Sequence, residues 1–474
     1  MSLDEGVRTW SPAQLREEVD ALAARLQAEK PRVLATLMDN SAAWVVADAA
    51  ALQAGVAHLP LPLFFTPEQI AHALRHAGAD ALLVPEPLAA RWAGAPARAC
   101  SVAGQALSLL SLPFPATPLP HGTTKITFTS GSTGRPKGVC LADAAMRQVA
   151  DALVQATAPL QIHRHLCALP FAVLLENIAG LMAPLSQQAT CIVLPLQQLG
   201  LAGSSSFDAA RFDAAVQQHQ PHSVILLPQM LRAWTAHLQR EGRRAPGSLK
   251  LVAVGGAAVG ASLIEAARAQ GIPAFEGYGL SEGASVQTLN LPGADLPGSA
   301  GRPLPHARLR IAADGEIEIA GSLFAGYLGD PAAPPGWWPT GDLGTIDAQG
   351  FVHVQGRKKH LLITAFGRNV SPEWVEQALH QQPAVAQAAV FGDGQPALSA
   401  VLWPAYATAP DAALDAAVQA ANARLPDYAR VQHWVRAQAP FDPASGLATA
   451  NGRPQRGAIL ALHADALGLC AHLP

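Results

Sequence analysis

Strand-length apolar runs alternate with segments of helical periodicity over most of this chain, and that alternation restricts the fold more than any other feature. Leu15, Val19, Leu22 and Leu26 recur at the spacing of one helix face. Residues 33–38 read as a buried strand, the Ala-rich stretch 42–54 as a helix, 67–78 as a second helix and 81–84 as another strand. The pattern continues with strands at 165–169, 224–227 and 250–254 and helices at 207–219, 229–240 and 261–270. Strands apolar on both faces need helices on both sides. The expectation is therefore an α/β fold with layered, mostly parallel sheets.

Two changes of texture divide the chain. From about Ala307, short strands separated by Gly turns (308–312, 316–320 and 351–355) suggest a β-rich subdomain at about 302–356. From Arg357 a strand at 361–364, a helix at 372–382, strands at 385–391 and 398–403 and a helix at 411–424 precede a Pro-rich tail. The expected division is a large N-terminal domain, 1–356, and a small mobile α+β domain, 357–474. A chain of 474 residues exceeds what one core supports, and a 50% hydrophobic, 14% charged composition suits large buried cores.

Charge and composition also exclude functions. The net charge of -3 offers no basic surface for nucleic acid. The start, MSLDEGVRTW, lacks the pattern of a secretory signal, and apolar runs such as 191–196 are too short to span a membrane. Cys100, Cys140, Cys167, Cys191 and Cys470 are scattered, which fits a reducing cytoplasm. His163, His165 and Cys167 alternate and would share one strand face, but no fourth ligand follows at a recognisable spacing, so they are read as structural.

The chemistry gathers after the strand-like Ile126-Thr127-Phe128. It runs into Thr129-Ser130-Gly131-Ser132-Thr133-Gly134-Arg135-Pro136-Lys137-Gly138. Glycines let backbone N–H groups approach an anion, hydroxyls donate and Lys137 brings charge, although a flexible turn has a similar composition. Pro136 stands where a Walker A loop needs Gly, so this is a different phosphate loop.

The segment resembles the signature loop of the adenylate-forming enzymes, a family of acyl-CoA synthetases, luciferases and adenylation domains of peptide synthetases. Further similar segments follow in the family's order. Val254-Gly255-Gly256-Ala257 resembles the turn along the adenine, and Tyr278-Gly279-Leu280-Ser281-Glu282 the next motif. The resemblance implies that Tyr278 stacks on adenine, Ser281 contacts the α-phosphate and Glu282 holds Mg²⁺. Trp338-Pro339-Thr340-Gly341-Asp342 resembles the ribose motif, with Asp342 and Arg357 on the ribose. Gly356-Arg357-Lys358-Lys359 resembles the interdomain hinge, with Lys359 as its pivot.

Within the family the chain is most similar to acyl-CoA synthetases acting on fatty acids. The implied activity is formation of an acyl adenylate from ATP and a carboxylic acid. Transfer to a thiol follows, coenzyme A or a carrier protein. An amine or internal hydroxyl is an alternative acceptor. Residues 169–176 resemble the acyl-site segment, with Val173 where relatives often carry His. Residues 365–373, including Gly367, resemble the loop lining the pantetheine tunnel, with Phe366 in place of a customary Gly.

One departure matters. The tail motif 447–453 places Arg453 where the family has its catalytic lysine, and no lysine occurs after Lys359. Three readings stay open: Arg453 substitutes for lysine, the chain adenylates slowly and is tuned for the second step, or it binds nucleotide and acyl groups without catalysis.

Overall fold

The computed structural model describes residues 2–129, 137–203, 206–330, 332–366, 368–406, 408–449 and 453–469. Two large sheets form the N-terminal part. In the first, the parallel strands Val33–Thr36, Ala57–Pro60 and Ala81–Pro85 lie together, and Thr123–Thr129 pairs parallel to Ala57–Pro60. The second has a parallel centre of Thr190–Ile192, Arg164–Leu166, Ser223–Leu226, Leu251–Val254 and Ala274–Leu280. Both sheets turn antiparallel towards their edges. The expected layered, mostly parallel arrangement is present, with antiparallel borders.

The helix Ala42–Ala54 shows why the layers hold. Ser41 starts it by accepting from the Trp44 N–H, and Gly55 ends it at φ +72°. Its residues are apolar on nearly every side. Trp44, Val46, Ala47, Ala50 and Ala51 are buried in one core with Leu34 and Leu83 of the first sheet and Cys167 and Cys191 of the second. A helix apolar all round belongs between two sheets.

The sequence expectations differ from the structure mainly at ends. The 165–169 strand is Arg164–Leu166 and stops before Leu169-Pro170, since Pro cannot donate to a ladder. The β-rich unit is a four-stranded antiparallel sheet of Arg308–Ile311, Glu316–Ala320, Trp338–Ile346 and Val352–Arg357. Its longest strand carries the Pro339-Thr340-Gly341 stretch, which masks strand propensity.

The C-terminal unit has a three-stranded sheet, Val385–Phe391, Leu398–Pro404 and Val431–Arg436, and the helices Pro372–His380, Asp411–Asn422 and Arg456–Leu467. The last strand and helix fall in the stretch read from sequence as a tail. Its cores are its own. Arg456 is held there by the buried Glu376, at 2.7 Å from Nη2. Among the described residues, no helix is long and apolar enough to cross a membrane.

Candidate active site

The parallel strands of the second sheet end at a crevice, the usual place for ligands in α/β sheets. Leu251–Val254 runs into Gly255, Gly256 and Ala257, which line a cavity of about 1190 Å³. A Cβ on Gly255 would approach the Gly277 carbonyl to 3.3 Å, and Gly256 has φ +87°. Glycine keeps this turn open and close to its neighbour.

Tyr278 lies on the adjacent strand. Its hydroxyl donates to Asp342 Oδ2 at 2.7 Å, while Asp342 Oδ1 pairs with Arg357 Nε at 2.8 Å. Asp342 and Arg357 are cross-strand partners in the β-rich sheet. Burial raises the Asp342 pKa, and Arg357 opposes that rise. Burial also pushes the Tyr278 hydroxyl far above its usual range, so it stays a donor. Three residues from separate sequence motifs thus form one hydrogen-bonded wall.

Ser281 and Glu282 form the short turn that follows this strand. Tyr327 donates its hydroxyl to Glu282 Oε1 at 2.9 Å, and Lys137 Nζ lies 5.3 Å from the Tyr327 ring centroid. Tyr327 joins two expected site residues, yet no sequence pattern marked it. Thr129 and Lys137 face one another across the hairpin that carries the loop. Ser130, Gly131, Ser132, Thr133 and Gly134, with Arg135 and Pro136, lie outside the described residues, as does Gly367.

Lys359 sits in the single turn Lys358–His360. Lys358 Nζ reaches back to Asp314 Oδ2 at 2.6 Å and Glu316 Oε2 at 2.8 Å in the β-rich sheet. His360 reaches forward to Glu373 of the C-terminal unit. One neighbour is tied to each unit, and Lys359 lies between them. Burial and the nearby cations Arg357 and Arg453 lower its pKa.

Arg453 closes the site from the C-terminal side. Its Nη2 lies 3.4 Å from the Gly256 carbonyl oxygen. The residue is exposed, with Arg357, Asp342, Glu282 and Tyr278 in electrostatic range, and its pKa is lowered by desolvation and then by Arg357. The neighbouring 450–452 lie outside the described residues.

The cavity continues inward past Leu169, Val173, Leu175 and Ala179 to His165 and Ser223. His165 and Cys167 do not assemble with His163, which is exposed and turns its ring towards His222. Their buried neighbour is Glu176, whose Oε1 lies 3.6 Å from His165 Nε2. Phe366 is exposed.

Residues 2–328 match the AMP-binding enzyme family, and residues 359–468 match the AMP-binding enzyme C-terminal domain. The chain belongs to the AMP-binding enzyme family. A 166-residue stretch, 33% of this chain, is 40% identical to 27% of the long-chain-fatty-acid–CoA ligase FadD15 of Mycobacterium bovis, so the match spans well under half of that relative. Over 407 residues, 81% of this chain and 80% of the relative, the AMP-binding chain is 30% identical to feruloyl-CoA synthase of Amycolatopsis sp.. It shares its fold with the O-succinylbenzoate coenzyme A synthetase MenE of Bacillus subtilis, solved with ATP and a magnesium ion. That likeness has a TM-score of 0.76 at 24% identity and covers 97% of this chain and 96% of that one.

Proposed function

We propose that this AMP-binding chain adenylates a carboxylic acid with ATP and then passes the acyl group to the thiol of coenzyme A. The observation that carries the reading is Arg453, brought from the C-terminal unit to the Gly256 carbonyl beside Glu282 and Asp342. A cation at that place bridges the substrate carboxylate and the α-phosphate as they approach, where charge needs neutralising. Arginine meets both groups with a planar fork.

The first step forms a bond between a carboxylate oxygen and the α-phosphorus and breaks the α–β phosphoanhydride, releasing pyrophosphate. In the second step the thiol sulfur attacks the acyl carbon, loses its proton, and AMP leaves. Gly255, Gly256, Ala257 and Tyr278 receive the adenine, and Asp342 and Arg357 the ribose. Lys137 and Ser281 hold phosphate oxygens, together with the loop 129–138. Glu282 has one carboxylate oxygen engaged by Tyr327 and a second left for a hard cation. Magnesium bound there supplies charge neutralisation on the phosphates.

The apolar stretch of the cavity at Leu169, Val173, Leu175 and Ala179 suits an acid with an extended apolar body, a fatty acid by the sequence resemblance. FadD15 is named for long-chain fatty acids and the Amycolatopsis relative for an aromatic acid, so both classes belong in the test. Pyrophosphate release is measured with ATP, magnesium, fatty acids of rising length and aromatic acids. Release with at least one acid, followed by thioester on adding coenzyme A, supports the proposal. Activity only on adding an acyl-carrier protein moves the acceptor. No release with any acid sinks adenylation and leaves a binding protein.

A further inference from the structure

The inner end of the cavity is not apolar. His165 and Ser223 line it, side by side on adjacent parallel strands, and His165 Nδ1 lies 2.8 Å from Ser223 Oγ. Behind the ring, Glu176 is fully buried and His165 is 2% exposed. His165 Nε2 and both Glu176 oxygens have no hydrogen-bond partner, although they approach to 3.6 Å. A Cβ on Gly180 would fall 2.6 Å from Glu176 Oε1 and 3.0 Å from His165 Nε2. The glycine leaves room for the cluster.

Buried polar groups are ordinarily satisfied, and of this cluster Ser223 and His165 line the cavity, so a ligand reaching this end meets polar atoms. Burial favours the protonated form of Glu176. Glu176 Oε1 faces His165 Nε2, and in the arrangement proposed below His165 Nδ1 donates to Ser223 Oγ. The Ser223 hydroxyl then has its own hydrogen free to point into the cavity. The row ends in a donor.

The depth of the row follows from the sheet. Ser223 pairs with Leu251, five residues before Gly256, so it lies about 16 Å from the nucleotide turn at roughly 3.3 Å per residue. A group touching Ser223 is therefore remote from the reacting carboxyl.

Resting on the acid-activation reading above, we propose that Ser223, backed by His165 and Glu176, forms a hydrogen-bonding subsite, and that the preferred acid carries an acceptor oxygen, such as a ketone, near its far end. An all-hydrocarbon acid of the same length leaves the hydroxyl unpaired in an apolar pocket, which is the condition under which sites discriminate strongly.

Two acid series of rising length, one ending in methyl and one with a ketone beside that end, are compared by pyrophosphate release. The parent protein is expected to favour the ketone acid by about tenfold in kcat/KM at one length and less at shorter ones. Ser223→Ala brings that ratio close to one. Glu176→Gln retains it, because an amide of the same shape still places an N–H opposite His165 Nε2. A ratio near one in the parent at every length overturns the subsite, as does a ratio that survives Ser223→Ala. Release with neither series overturns acid activation itself, and the subsite with it.

Discussion

The guanidinium of Arg453 lies 3.4 Å from the carbonyl oxygen of Gly256, although 197 residues of chain separate them. In this arrangement the tail residue faces the glycine turn proposed to receive the nucleotide. Arg453→Ala is expected to slow adenylation by roughly 100-fold, the usual cost of one preorganised donor. Arg453→Lys should keep or raise it if charge alone is required. Thioester formation from a pre-made acyl adenylate is the control, since the role proposed for Arg453 belongs to the first step alone. Unimpaired pyrophosphate release by Arg453→Ala would make it a bystander.

Tyr327 touches both Lys137, over its ring, and Glu282, at its hydroxyl. Lys137→Ala and Glu282→Ala should each reduce adenylation by about 2.7–4 kcal/mol of transition-state stabilisation. The Glu282 variant should also need more magnesium for half-maximal rate. Near-parental rates in both would remove these residues from the phosphate site.

Lys358 is tied to Asp314 and Glu316, and His360 to Glu373, which supports Lys359 between them as the proposed pivot of the two units. Lys359→Pro fixes φ and removes an N–H there. Adenylate should still form while thioester formation drops sharply. Separate assays of the two half-reactions decide this, and an equal fall in both would place the pivot elsewhere.

Glu276 provides a pH signature. It lines the cavity and accepts from the Val259 N–H at 3.1 Å, and burial raises its pKa from 4.5 to about 7. Between those values the folded protein binds the extra proton. Stability therefore falls as pH rises through that window and is lower by roughly 3 kcal/mol above it. Glu276→Gln should flatten this dependence in urea unfolding at pH 5 and pH 8. A parent protein equally stable at both, matched by the variant, would contradict the buried neutral carboxyl.

Local signals carried much of the fold. The helix Ala42–Ala54 was legible to the residue, because Ser41 and Gly55 punctuate it and its Ala-rich run continues between them. The helix Arg456–Leu467 was missed, since it lacks a side-chain cap and follows a Pro-rich stretch. The order of the motifs, and the arginine in place of the tail lysine, were likewise written in the chain. The sequence alone determined which residue types were available and the alternation of strands and helices through the N-terminal part, though not every element's ends.

Tertiary structure decided which of those residues meet. Asp342 holds both Tyr278 and Arg357, Tyr327 reaches Glu282, and His165 stands between Ser223 and Glu176. The Ser223–His165 contact spans 58 residues and the Tyr278–Asp342 contact 64. Periodicity reports only which face of its own element a side chain takes. The register between strands distant in sequence is set by burial of whole sheet faces, so these partnerships exist only once the layers have packed.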